Sequence, residues 1–99
     1  MQTITINNTI ADQAFEGLKV KSLVKSNKLE ILSITLEKGA IFPSHESNED
    51  AHLVLLEGHI AFHIEEDPII LKKQQQISFP KQKEHWVEAY ENSKFLIIR

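Results

Sequence analysis

Apolar residues along this chain fall in short runs divided by turn-forming clusters: Ser26-Asn27-Lys28, Glu37-Lys38-Gly39, Glu65-Glu66-Asp67-Pro68 and Glu91-Asn92-Ser93-Lys94. Runs of this length with these boundaries read as strands. Strands are predicted over 18–24, 29–36, 51–56, 59–65, 69–71, 76–79, 85–90 and 95–98, with a single helical turn over 12–16. Short strands at such regular spacing predict one all-β domain, a barrel or sandwich. Its barrel spans 18–99, and an N-terminal arm spans 1–17.

The same pattern assigns faces. His59-Ile60-Ala61-Phe62-His63-Ile64 alternates, which puts Ile60, Phe62 and Ile64 on one side and His59, Ala61 and His63 on a wetter one. The runs over 53–56 and 95–98 do not alternate, so both of their faces need cover, and a small barrel covers only its inside. Either the N-terminal segment or a second copy of the chain lies over the outside. The expectation is a homodimer meeting across a two-fold axis, with Val54 and Leu56 outside the barrel in its contact.

Composition narrows the partners. The 99 residues suffice for one domain with a modest core, and a hydrophobic share of 41% with 25% charged residues is that of an ordinary globular protein. The formal charge of -3 is spread along the chain, so no basic face exists to meet phosphates, and nucleic acid is not an expected partner. No apolar run approaches the roughly 20 residues of a spanning helix and the N-terminus lacks the features of a signal peptide, so no membrane partner is expected and the cytoplasm is the expected location. The absence of cysteine removes disulfides, thiolate metal sites and thiol nucleophiles. With three glycines there is no phosphate-binding loop, and Ser44, Ser47 and Ser78 lack the strand-to-helix elbow of a catalytic serine. The polar tract at 72–76 reads as a solvated turn.

Two stretches carry chemistry. Gly39, His45 and Gly58 stand at the offsets of a G-x5-H-x-H-x3-E-x6-G pattern, with Ser47 in place of the second histidine and Ala51 in place of the glutamate. Pro80 and His85 match G-x5-P-x-G-x2-H-x3-N, with Gln74, Gln82 and Ala89 in place of glycine, glycine and asparagine. In these motifs the last two thirds of the chain resembles the cupin superfamily, small antiparallel barrels of the double-sheet jelly-roll kind. The resemblance implies that fold. It further implies that His45 and His85 come from neighbouring strands and point into the barrel, sharing an inward surface with Ser47 and Ala51.

A catalytic metal centre usually takes three protein ligands, and this chain keeps two histidines of the family set. Two readings of His45 and His85 stay open: ligands of one weakly bound divalent metal ion, or metal-free residues lining a pocket. A third ligand would have to come from substrate, from water or from elsewhere in the chain, where the candidates are Glu49 or Asp50 in the loop, or His52 if a bulge turned it inward. Glu46 and Glu84 should face solvent, as should His59 and His63. Little on the inward face could orient the two imidazoles, since Ser47, Ala51, Val87 and Ala89 offer a single hydroxyl. Phe62 and Phe79 are candidates to line the pocket, while Phe42 and Trp86 read as core and rim.

Three functions are compatible with this reading. The first is binding of a small molecule in the barrel through His45, Ser47, Phe62, Phe79 and His85, without turnover. The second is a metal-dependent enzyme of the dioxygenase, isomerase or lyase type, with His45 and His85 as metal ligands. The third is a dimeric structural or interaction protein whose barrel is filled by Leu53, Leu55, Ile60, Phe62 and Ile64, the only one to predict no open cavity.

Overall fold

The apolar runs pair into two antiparallel sheets in a computed structural model of the chain, which describes residues 3–99. The strands are β1 (Leu18–Lys25), β2 (Glu30–Leu36), β3 (Ile41–His45), β4 (Ala51–Glu57), β5 (His59–Ile64), β6 (Pro68–Lys72), β7 (Gln76–Phe79), β8 (His85–Ala89) and β9 (Ser93–Ile98), preceded by one helical turn, α1 (Thr9–Asp12). One sheet runs β1-β2-β9-β4-β7 and the other β3-β8-β5-β6. Facing one another, they make a single jelly-roll barrel. No helix among the described residues is long and apolar enough to cross a membrane.

The core forms where the alternation of both sheets coincides. Ile34 of β2, Phe95 of β9 and Leu55 of β4 are cross-strand neighbours in one sheet, as are Ile60 of β5 and Leu71 of β6 in the other, and all are buried. Phe62 pairs with Val87 of β8 at the centre of the second sheet. Burial of such side chains contributes about 1.5–3 kcal/mol each and drives closure. The face opposite Phe62 is drier than its alternation predicted. Ala61 is 0% exposed between its cross-strand neighbours Glu88 and Ile70.

The pattern of apolar runs leaves out one strand and misplaces the helical turn. Strand β3, which only the resemblance implies through His45, escapes the pattern because Pro43 interrupts a segment with few apolar residues. The structure accommodates Pro43 because β3 is a sheet edge, where one ladder is missing anyway, and because its pairing with β8 is irregular between Phe42 and His45. The helical turn lies three residues earlier than predicted. Gln13 is extended, and its buried side chain bonds the carbonyls of Lys19 and Ser33 while accepting from the Ser33 hydroxyl, which draws 13–16 onto the sheet instead of into a helix.

Backbone conformation separates the motif positions into two kinds. Gly58 has φ +102°, and a Cβ there would lie 2.2 Å from the Ser93 hydroxyl oxygen and 2.6 Å from the Asn92 carbonyl oxygen. Gly39, at φ +85°, faces open space. Gln74 and Gln82, which occupy positions where the motif has glycine, keep left-handed backbone at φ 69° and 62° without being glycine.

Gly58→Ala should therefore destabilise by more than about 2 kcal/mol, because it adds a clash to an unfavourable φ. Gly39→Ala should cost only about 1 kcal/mol, the backbone term alone. Urea unfolding of the two variants checks the order, and equal losses would contradict it.

Gln74→Gly and Gln82→Gly should each stabilise, by up to about 1 kcal/mol, since relief of left-handed strain exceeds the added freedom of the unfolded chain. The neighbouring Gln75→Gly, at ordinary φ, should instead lose about 0.5–1 kcal/mol. Loss of stability in all three would refute the account.

Candidate functional site

Strand β8 alternates His85, Val87 and Ala89 inward with Trp86 and Glu88 outward, and the inward three are buried. Its edge partner β3 sets His45 directly across from His85. Phe42 pairs with Val87, three residues before His45 on one strand but only two beyond His85 on the other. This extra residue is decisive. On a regular strand Phe42 and His45 would face opposite ways, and the bulge turns both inward. Phe42 then stacks on His45 with ring centres 4.5 Å apart.

The His45 and His85 rings meet edge to face, with centres 4.2 Å apart. Each ring is oriented by backbone. His45 Nδ1 lies 2.6 Å from the Pro43 carbonyl oxygen, and His85 Nδ1 lies 2.9 Å from that of Lys83. A carbonyl only accepts, so each Nδ1 carries the proton and each neutral ring leaves its Nε2 lone pair free. Support of this kind was not anticipated from side chains on the inward face. It comes from the carbonyl two residues earlier, at each histidine, and no side-chain pattern reports it.

The surroundings of the two rings differ. His45 is half-buried at the barrel rim, whereas His85 is 3% exposed and walled by Phe62 and Phe79, with ring centres at 5.4 and 4.7 Å. Burial pushes the His85 imidazole below its ordinary value of 6.5. The bond to the Lys83 carbonyl opposes that shift, and the nearby His45 and Arg99 reinforce it.

The other candidates lie apart from this pair. Ser47 is buried, but its hydroxyl donates to the Glu49 carbonyl and accepts from the Glu49 amide, so it closes a local turn. Asp50 accepts from the Lys81 amide, and Glu49 is exposed. His52 is exposed on the outer face and bonded to the Ser78 hydroxyl at 2.8 Å. Glu46 and Glu84 are both exposed, Glu84 accepting from Ser44. Ala51 lies across from Phe79, so aromatic carbon adjoins the position of the motif glutamate. Among the described residues no group of three or more histidine or carboxylate side chains is arranged to hold a metal ion.

His59 and His63 do not join the pair. His63 stacks on Trp86, with ring centres 3.7 Å apart and planes 3° from parallel, and its Nε2 lies 3.1 Å from Glu88 Oε1. His59 meets Tyr90 edge to face at 5.2 Å. This aromatic cluster on the outer face was not foreseen beyond the reading of Trp86 as rim.

Two open grooves flank the paired histidines, and neither ring lines them. One, of about 570 Å³, borders Glu46, Ser47 and Arg99. The other, of about 600 Å³, borders Ser44, Lys83 and Trp86.

A depressed His85 makes stability depend on pH with a definite sign. The unfolded chain takes up this proton at higher pH than the folded one, so the contribution of neutral His85 is complete above 6.5 and is lost as pH falls from there through the folded value. Urea unfolding between pH 8 and 5 should show that decline, and His85→Gln should reduce it. An unchanged slope in the variant would refute the assignment.

Comparisons with known proteins agree with this architecture. A family model described as a cupin domain matches residues 32–98. A conserved protein of unknown function from Streptococcus pyogenes superposes with a TM-score of 0.84 at 22% identity, over 99% of this chain and 88% of that one. An RmlC-like cupin protein from Desulfovibrio desulfuricans gives 0.84 at 23%, over 97% and 95%. A further RmlC-like protein with a double-stranded β-helix fold, from Methanocaldococcus jannaschii, gives 0.81 at 21%, over 89% and 83%. No curated protein matches the sequence.

Proposed function

The chain belongs to the cupin family, and from that premise we propose that it binds a small molecule at the barrel rim through the Nε2 atoms of His45 and His85, without turnover. The observation that carries this reading is the pinned Nδ1–H of both rings. In their neutral form two neighbouring imidazoles with fixed tautomers present two acceptors, so the matching ligand offers donors: adjacent hydroxyls, an amide or an ammonium group. His45 is the accessible member. Phe42, stacked on it, supplies an apolar edge, while Phe62 and Phe79 hold His85 from behind.

The donor set fits a resident metal poorly. Two imidazoles provide two corners of a coordination shell and no negative charge, one ligand short of an ordinary catalytic centre. A divalent ion here would be weakly held and exchangeable, and acid would weaken it further, because only a neutral imidazole is a ligand. No catalytic step is therefore assigned to it.

One observation favours a second reading, that of a structural or interaction protein. Phe62, Phe79, Leu53, Leu55 and Ile60 are packed into the barrel, and Phe62 and Phe79 touch at 4.9 Å between ring centres. The two readings separate in a thermal-shift panel at pH 7.5 comparing small diols, amides and amines with simple carboxylates, which carry no donor at that pH. Binding predicts Tm increases confined to donor-bearing compounds and lost in His45→Ala and His85→Ala, in keeping with mass action. Shifts from carboxylates alone, or shifts that survive both substitutions, would exclude the histidine site. A flat panel would favour the filled barrel.

A further inference from the structure

The outer face of the four-stranded sheet carries a second feature, independent of the histidine pair inside the barrel. Trp86 of β8 and His63 of β5 are cross-strand neighbours, and their rings lie flat on one another at 3.7 Å. His63 is held in turn. Its Nε2 lies 3.1 Å from Glu88 Oε1, and the Tyr90 hydroxyl donates to that same oxygen at 3.3 Å. A carboxylate only accepts, so Nε2 carries a proton and the imidazole plane is fixed by the bond. Tyr90, Glu88 and His63 thus form a relay that ends by fixing the plane of the indole. Trp86 has therefore already lost the rotamer freedom that ordering a side chain on binding would cost.

The fixed indole borders a groove. This is the cleft of about 600 Å³ that Trp86 and His63 line together with Ser44, Glu65, Glu66, Lys83 and Glu84. Three carboxylates there face one ammonium group, and that ammonium is already engaged: Lys83 Nζ donates to Glu65 Oε1 at 2.8 Å. Glu84 accepts from the Ser44 hydroxyl at 2.6 Å, which places its carboxylate without neutralising it. Neither Glu66 nor Glu84 forms an ion pair among the described residues. A cleft lined by an excess of one sign concentrates the opposite one.

We propose that this groove binds a guanidinium group, which lies against the Trp86 indole and donates to the carboxylates of Glu84 and Glu66. The aromatic wall and the acids select this ion jointly. A guanidinium is planar, is weakly hydrated on its faces and carries its donors at the edge, so it can stack on an indole and fork onto a carboxylate at once. An ammonium group is a compact point charge that does only the second, and a neutral amide or urea lacks the charge. The same group occurs in free alkylguanidines and in arginine side chains.

Trp86 is the only tryptophan of the chain, so its emission reads the groove directly. Titration of the full chain with ethylguanidinium at low ionic strength should give a saturable change in the millimolar range. Ethylammonium should bind at least about threefold more weakly, and N-ethylurea should have no effect. Glu66→Gln and Glu84→Gln should each weaken ethylguanidinium by about three- to tenfold, whereas Glu16→Gln, an equal change of charge on the arm, should not. Calorimetry on Trp86→Leu, checked for retained fold by circular dichroism, should show a loss of at least about threefold. The peptide Gly-Arg-Gly separates the sources: tighter binding than ethylguanidinium supports an arginine side chain, and equal or weaker binding supports a free alkylguanidine. A flat titration, an equal response to ethylammonium or N-ethylurea, or an affinity unchanged in both glutamine variants would overturn the proposal.

Discussion

The register of β8 is the constraint on which the candidate site depends. This strand lies between β3 and β5, and each neighbour is aligned to it: His45 to His85, Phe42 and Phe62 to Val87, His63 to Trp86. A slip of one residue would exchange its two faces, bringing Trp86 and Glu88 inside and sending His85 to solvent. Such a slip would empty the core position of Val87 and bury the carboxylate of Glu88 in an apolar interior. The cost of burying an unpaired charge far exceeds that of losing a single contact. Hydrophobic patterning thus fixes the position of a polar pair that contributes little to folding by itself.

At His85 two effects oppose each other. Desolvation disfavours the imidazolium, and the bond to the Lys83 carbonyl favours it, because the charged Nδ1–H is a stronger donor than the neutral one. Burial wins, since Phe62 and Phe79 exclude water from one side of the ring. The outcome is a neutral ring in a fixed tautomer whose Nε2 is an acceptor. With Ala51 and Ser47 in the remaining motif positions, no carboxylate or third imidazole adds charge to the pair. The interior beside His85 is correspondingly aromatic rather than wet.

Much of this was legible in the sequence, for physical reasons that differ from residue to residue. The eight predicted strands form with their ends displaced by at most two residues, because turn clusters and alternation are local signals. The resemblance to the cupin motifs brought His45 and His85 together, and the register of β3 on β8 sets them directly across from one another. Pro43 hid β3, because tolerance of proline depends on being at an edge, a property of the assembled sheet. The displaced helical turn failed for a similar reason: the Gln13 side chain finds its partners at Lys19 and Ser33, the latter twenty residues away. Nor could side-chain pattern reveal the carbonyls of Pro43 and Lys83 as the groups that orient the two imidazoles.

Lys94 explains why the N-terminal segment behaves as two parts. Its side chain leaves β9 on the outer face and is almost fully buried, a costly position for an ammonium group without partners. The Ile10 carbonyl accepts from it, the Phe15 ring lies 5.5 Å from its nitrogen, and Glu57 adds an opposite charge at 3.8 Å. Two of those three partners belong to the arm, so removing the segment over 10–15 would expose the sheet and also strip the cation of its compensation. That segment is part of the fold. Residues 3–7 differ, since they make no backbone-to-backbone hydrogen bond among the described residues and leave Ile4 and Ile6 exposed, so they contribute neither buried area nor compensation to the sheet.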